Sequence, residues 1–474
     1  MKVRTQKTLA KVNGCPQRAR TESEWYGGAQ TFMWMCEDNI VEVPFDKEHL
    51  LERILSPDNL NQAYKAVVRN KGCGGIDKMS CEELLPWLLA NKDSLIRSLQ
   101  DGSYRPNPVR RVEMPKDNGK KRLLGIPTVV DRLVQQAINQ TLTPIYERQF
   151  SSRSYGFRPR RGCHDALRGA QKIIDNGYIY VVDLDLERFF DTVSHSKLIE
   201  ILSRTIKDGR VVSLIHKYLR SGVINKGLFE ASEEGTPQGG PLSPLLSNIM
   251  LNELDKELEA RGLDFVRYAD DLIIMVGSRQ AAERVMKSVT RFIENKLGLK
   301  VNAGKSKVDK PKGIKYLGFG FYFDAFAKEY KARPHPKAVA KFKVQMKKLT
   351  CRSWGVSNSY KVQKLNQLIR GWINYFKIGS MKGLCERLDR NIRYRLRMCI
   401  WKHWKTPQNR AKNLMKLDVP RWAAYKIAYC GNRYARLAHN GWVHKAISNE
   451  RLAAFGLVSM SNYYAERRVI CEVD

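Results

Sequence analysis

Two pairs of acids in the chain have the type and spacing to hold a divalent cation. Asp270 and Asp271 lie side by side between two apolar, β-type runs, Phe265-Val266-Arg267-Tyr268 and Leu272-Ile273-Ile274-Met275-Val276. That pattern predicts a tight hairpin with the carboxylates at its turn. Asp183 and Asp185 alternate along Tyr178–Leu186, so a period of two sets them on one face of a strand. Burying an unpaired charge is costly, and such carboxylates need a cation nearby. In a chain this basic the partner is either Lys or Arg or a metal ion. The Asp-Asp pair alone reads equally both ways, because acidic pairs are common at turns. One strand acid brought beside Asp270 and Asp271 makes three converging carboxylates. Their hard oxygens suit Mg2+, which leaves positions open for water and phosphate. Two such ions can clamp the attacking and leaving oxygens of an in-line phosphoryl transfer.

The elements that must position these acids follow from periodicity and punctuation. From residue 178 to 321 the order is strand, helices, a Gly/Pro loop with a helix, the Asp-Asp hairpin, a helix and strands. Strands alternating with helices around a central hairpin predict an α+β sheet of split βαβ type, with helices on one face. Ser194 is expected to cap a helix to about Ile206, stopped by Asp208-Gly209. Gly235-Thr236-Pro237-Gln238-Gly239-Gly240-Pro241-Leu242-Ser243-Pro244 reads as a rigid loop, with Ser243 as N-cap and Pro244 at the first helical position. Ser278 caps the next helix, Gly298 closes it, and strands are expected at 299–301 and 315–321. Upstream, residues 1–45 show no clear period and read as a weakly structured extension. Helical spacing appears over 48–68, 82–89 and 131–145. Between them Val112–Pro115 and Leu123–Pro127 form a hairpin tipped by Lys116, Lys120, Lys121 and Arg122. That tip is either a solvated turn or a phosphate grip. The basic, aromatic loop Ser154-Tyr155-Gly156-Phe157-Arg158-Pro159-Arg160-Arg161 is either a surface loop or a nucleic-acid contact.

The 474 residues suffice for about three domains. Lys and Arg outnumber acids 83 to 48, for a net charge of +35, far beyond the roughly 2–8 that serves solubility in a small domain. A polyanion is the economical partner, and nucleic acid fits better than a membrane. No apolar run reaches membrane-spanning length, and no signal-peptide core follows the N-terminus. The ten cysteines include no Cys-x-x-Cys pair and are expected to be reduced structural residues of a cytosolic protein. The charge is concentrated late: Lys331–Cys430 holds 25 Lys and Arg against 3 acids. Its helices keep apolar stripes such as Leu365, Leu368, Ile369, Trp372 and Phe376, while Arg390, Arg393, Arg395 and Arg397 crowd the next one. A charge density of that kind favours RNA or DNA contact.

Five ordered motifs together resemble the bacterial group II intron-encoded reverse transcriptase/maturases. They are Ser154–Pro159, Asp185 with Phe190 five residues on, Thr236–Pro244, Tyr268-Ala269-Asp270-Asp271 and Tyr316-Leu317-Gly318-Phe319. The resemblance runs from about residue 48 to the end, and the chain stops without a His/Cys endonuclease segment, like the compact endonuclease-lacking members. It implies a right-hand polymerase: a 1–47 extension, fingers to 177, palm at 178–332, a helical thumb or maturase domain at 333–430 and a DNA-binding-like segment at 431–474. It further implies Asp185, Asp270 and Asp271 as ligands of two Mg2+ ions, with Asp183 a strand acid of lesser or structural role. Phe190 is then the steric gate against a ribonucleotide 2′-OH. Lys116 and Arg122 hold the incoming dNTP triphosphate, and Gln238 lies under the nascent pair. Lys305 sits near the leaving pyrophosphate as a possible general acid, and Tyr316, Leu317, Gly318 and Phe319 form the primer grip. Arg158, Arg160, Arg161 and the four arginines from Arg390 to Arg397 are expected on nucleic acid. The implied partners are the intron RNA, an RNA template with its primer, dNTP and target DNA, in the cytoplasm and at the nucleoid. The other functions open to the sequence are a domesticated reverse transcriptase in defence or repair and a splicing-only maturase.

Overall fold

The computed structural model describes residues 49–115, 119, 121–431 and 433–473, with backbone alone at 33–36, 39–42 and 470–473. The chain forms two compact units: Met1–Ile173 with Gly177–Val308, and Ile174–Asn176 with Asp309–Asp474.

In the first unit, a sheet in the order β10 (Lys307–Asp309), β5 (Tyr180–Leu184), β9 (Asp271–Val276), β8 (Asp264–Tyr268) carries the acids. β5, β9 and β8 run antiparallel, from Tyr180↔Val276 to Leu184↔Leu272 and from Asp264↔Met275 to Tyr268↔Asp271. The apolar runs predicted for the hairpin fill the core, with Phe265, Ile273, Ile274 and Met275 all buried. Helices Ser243–Ala260 and Arg279–Leu297 pack with this sheet, the second capped by Ser278 and closed by Gly298 in the left-handed region as expected.

A second sheet joins β4 (Lys121–Ile126), β3 (Val109–Pro115), β6 (Val223–Asn225) and β7 (Leu228–Glu230) in that order. The basic hairpin is therefore not alone, since β3 also pairs in parallel with β6 through Val109↔Val223. Helix Val129–Glu147 is buried on nearly every side rather than amphipathic. It packs with helices Pro57–Arg69 and Ser243–Ala260, and its buried glutamines satisfy one another, Gln136 donating to Gln140 at 3.0 Å and Gln140 to the Asn59 side chain at 2.9 Å.

The second unit has a three-stranded antiparallel sheet, β11 (Lys315–Tyr316), β12 (Phe319–Asp324) and β13 (Glu329–Pro334), followed by helices. Its core stacks Phe319, Trp372, Phe376 and Phe342 with ring centroids 4.8–5.0 Å apart.

Local chemistry overrode several sequence expectations. Strand 315–321 is split by a turn at Leu317-Gly318, both with positive φ. At 299–301 only Val301 bridges, to Leu186, and the strand forms at Lys307–Asp309. Ser243 does not cap its helix; its Oγ donates to the Pro237 carbonyl at 2.7 Å, pinning the Gly/Pro loop to the helix start. Asp208 starts the helix Gly209–Leu219 as its N-cap rather than merely ending the one before. The helix predicted over 48–68 is two, because Ser56 caps a new one with Pro57 at its first position. Within the 1–45 extension, read as weakly structured, β1 (Met33–Cys36) and β2 (Asn39–Glu42) pair antiparallel from Met33↔Glu42 to Cys36↔Asn39.

Candidate active site

The Asp-Asp hairpin has the shortest common connection. Tyr268 pairs with Asp271, leaving Ala269 and Asp270 as a two-residue turn, with Ala269 at φ +56°. Primed turns of this kind match the twist of the flanking strands and demand positive φ. The turn is backed by Gly156: a Cβ there would lie 2.2 Å from the Ala269 nitrogen.

Asp185 follows the last β5 pair, Leu184↔Leu272, at the end of the sheet where Asp271 opens β9. The segment after Val301 wraps its backbone. The Asn302 N–H donates to the Asp185 carbonyl at 2.8 Å, and the Asp185 N–H donates to Ser306 Oγ at 3.0 Å. Lys305 Nζ then lies 2.7 Å from Asp185 Oδ2. The structure thus brings Asp185, Asp271, the Asp270 turn and Lys305 to one sheet end, with Asp183 within β5 opposite Ile273. Among the described residues no three His, Cys, Asp or Glu side chains are gathered closely enough to hold a metal ion. The donor set nonetheless fits Mg2+: carboxylate oxygens are its ligands, and it is usually held by one or two of them plus substrate phosphates rather than by a protein cage. The ammonium on Asp185 shows that this carboxylate already faces positive charge.

Phe190, half-buried, meets Phe189 edge-on at 5.2 Å and lines a cavity of about 910 Å3 with Leu123, Arg188, Arg220, Thr236 and Pro237. Its carbonyl accepts the Thr236 N–H at 2.7 Å. His195, buried, donates from Nε2 to the Gly235 carbonyl at 2.7 Å, and burial lowers its pKa below the ordinary histidine value. The loop is locked on its other side as well. The Gly125 N–H donates to the Gln238 carbonyl at 2.8 Å, and a Cβ at Gly239 (φ +135°) would lie 2.5 Å from the Gly125 oxygen. Arg122 is exposed on β4 opposite Met114; Lys116 lies outside the described residues.

Several residues expected on nucleic acid are turned inward. Arg158 is buried, its guanidinium pairing with Glu147 at 2.7 Å and donating to the Ser154 carbonyl at 2.8 Å; this corrects its assignment as a contact and makes it a fastener of its own loop. Arg161 donates to the Ser152 carbonyl at 2.6 Å and covers the Tyr155 ring, whereas Arg160 is exposed. Arg397 is likewise buried, donating to the Ile447 carbonyl at 2.9 Å and to Asn449, and Arg395 donates to the Thr350 hydroxyl. Arg393 approaches Asp389 at 3.9 Å, leaving Arg390 as the exposed member of the four. In the primer-grip stretch Tyr316 and Phe319 are buried, and only Leu317 and Gly318 form the turn, where Tyr375 Oη donates to the Leu317 carbonyl at 2.8 Å. Arg267, Ser306 and His195 also brace this region. A charged residue in the otherwise apolar run Phe265–Tyr268 was a legible signal for the first; the other two had none.

A split-βαβ sheet with acids at a hairpin turn and at the adjoining strand end defines a polymerase palm, and here that class is the reverse transcriptase. Residues 114–321 match the family described as "Reverse transcriptase (RNA-dependent DNA polymerase)", and residues 339–418 match "Group II intron, maturase-specific domain". Among curated proteins, "Protein YkfC" of Escherichia coli (strain K12) is 36% identical over 330 residues, covering 61% of this chain and 84% of that protein. "Group II intron-encoded protein LtrA" of Lactococcus lactis subsp. cremoris is 32% identical over 356 residues, 60% of this chain and 57% of that protein. The "Putative COX1/OXI3 intron 2 protein" of Saccharomyces cerevisiae is 30% identical over 288 residues, 48% of this chain and 33% of that protein. The chain belongs to the group II intron-encoded reverse transcriptase/maturase family and is an RNA-directed DNA polymerase.

Proposed function

We propose that the chain copies an RNA template into DNA at the β5/β8–β9 carboxylates and binds its parent intron RNA to assist splicing and mobility. The observation that supports this reading is that Asp185, just past the Leu184↔Leu272 pair and in contact with Lys305, lies at the sheet end where the Asp270-Asp271 turn falls. Asp185 and Asp270 would hold two Mg2+ ions with Asp271 as the weaker contact, and when bound the ions supply charge neutralisation along an in-line displacement. The chain's own groups do the rest. Phe190 fills the space of a ribose 2′-OH, and the locked Gln238-Gly239 loop admits a flat base pair above it. Lys116 and Arg122 draw in the triphosphate, and Lys305 gives a proton to the departing pyrophosphate. Leu317-Gly318 steers the primer end. Template pairing selects the base, so the protein grips backbone and duplex shape. The basic helices after residue 333 take intron RNA, and target DNA receives the product. Among the described residues no helix is long and apolar enough to cross a membrane, and we place the work in the cytoplasm and at the nucleoid.

Primer extension on RNA and DNA templates, with and without Mg2+, tests the reading. Asp270→Ala is expected to abolish dNTP incorporation while RNA binding persists; incorporation by that variant would refute the site.

A further inference from the structure

The carboxylate turn is held by a side chain to which the chemistry above gives no role. Arg267 in β8 is 1% exposed. Its Nε donates to Asp255 Oδ1 at 2.7 Å and its Nη2 to Asp255 Oδ2. Its Nη1 donates at 3.0 Å both to Asn248 Oδ1 and to the Ala269 carbonyl within the turn. Asp255 and Asn248 are themselves buried on helix Ser243–Ala260, and Asn248 Nδ2 donates to the Gly156 carbonyl at 2.8 Å. Gly156 is the residue whose missing Cβ lets it lie against the Ala269 nitrogen. The Arg267 backbone is tied as well, its N–H to Arg153 and its carbonyl from Tyr155. One guanidinium therefore joins the helix to the turn, and Asn248 extends the link to the Gly156 loop.

Stability is a weak reason for such a group, since a buried ion pair often contributes no more than apolar residues of the same volume. What it supplies is geometry: a planar fork fixed by Asp255 leaves one N–H aimed at the Ala269 carbonyl. We propose that Arg267 is a positioning residue, whose bond to the Ala269 carbonyl holds the turn so that Asp270 and Asp271 present their oxygens to a divalent ion. The proposal rests on the reading that these acids hold the ion.

The test measures Mn2+ affinity of the full chain on a template–primer by electron paramagnetic resonance, alongside melting temperature and the Mg2+ midpoint of single-turnover incorporation. Outer partners of metal ligands typically matter about 10–100-fold in affinity. Arg267→Lys is expected to weaken Mn2+ and raise the Mg2+ midpoint about tenfold, with template–primer affinity kept within about twofold. Asp255→Asn retains the Arg267 donor to Ala269 but loosens the fork, and it is expected to lower the melting temperature while moving the Mn2+ affinity less than the lysine variant does. The double variant Arg267→Met with Asp255→Leu removes both charges and is expected to fold, yet to bind Mn2+ about tenfold more weakly. Wild-type Mn2+ affinity in the folded double variant would overturn the proposal and leave Arg267 a stability group. Asp270→Ala run in parallel separates the two failures: undiminished Mn2+ binding there sinks the site reading itself.

Discussion

At the scale of single residues, the geometry separates groups that face the reaction from groups that brace it. Lys305 touches Asp185 yet is mostly exposed, so its removal costs little fold. Lys305→Ala should slow single-turnover incorporation about 100-fold through loss of general acid help, with the dNTP KM nearly unchanged; an unaltered rate in rapid-quench assays would relieve it of that role. Phe190→Ala should admit ribonucleotides, read as the ratio of kcat/KM for dNTP over NTP; an unchanged ratio would deny the ring its gate. Arg158 belongs to the other group. Arg158→Ala strands the Glu147 carboxylate and should cost about 3 kcal/mol in denaturant unfolding, with no change in the salt slope of RNA binding. Composition cannot tell these arginines apart. A basic loop reads the same whether its guanidinium points to water or donates to the carbonyls of its own turn, as Arg158 does, and Arg397 finds its partners far along the chain at Ile447 and Asn449.

At the scale of elements, legibility followed periodicity. The Asp-Asp hairpin, the β3–β4 hairpin and the capped helix Arg279–Leu297 were readable because alternation, turn residues and caps lie within a few positions of one another. The pairing of β3 with β6 was not, since partners over a hundred residues apart leave no local signature. The Gly235–Gln238 loop depends on such distant partners, and its pH response follows. Burial lowers the His195 pKa from the ordinary value of 6.5. The unfolded chain therefore binds this proton first as pH falls. The contribution of neutral His195 is complete above about pH 6.5 and is lost as the pH drops through that value toward the folded pKa. Melting temperature should fall across this window, and His195→Gln should flatten the fall. A flat wild-type profile would mean that His195 is protonated without cost.

At the scale of the whole molecule, charge and packing divide the chain at different places. The packing division falls at Val308/Asp309, where β10 carries the chain from one unit to the next, whereas the charge rises only after about Arg333. A surface that meets RNA need not coincide with a folding unit. Arg390, exposed, is expected to contribute a counterion-releasing contact, and Arg390→Ala should reduce the slope of log K against log salt by about 0.7–0.9. Arg397→Ala should leave that slope alone and lower stability by about 2 kcal/mol. The opposite pattern would place Arg397 at the RNA surface.

The two-residue link between β8 and β9 also fixes what kinds of sequence change the enzyme can survive. Side chains on a strand alternate, so one extra amino acid between Tyr268 and Leu272 would swap inward for outward along a whole strand. Loops elsewhere can change in length without reversing a strand; this one cannot. A library of single-codon insertions should show a gap here, even beside positions that tolerate substitution.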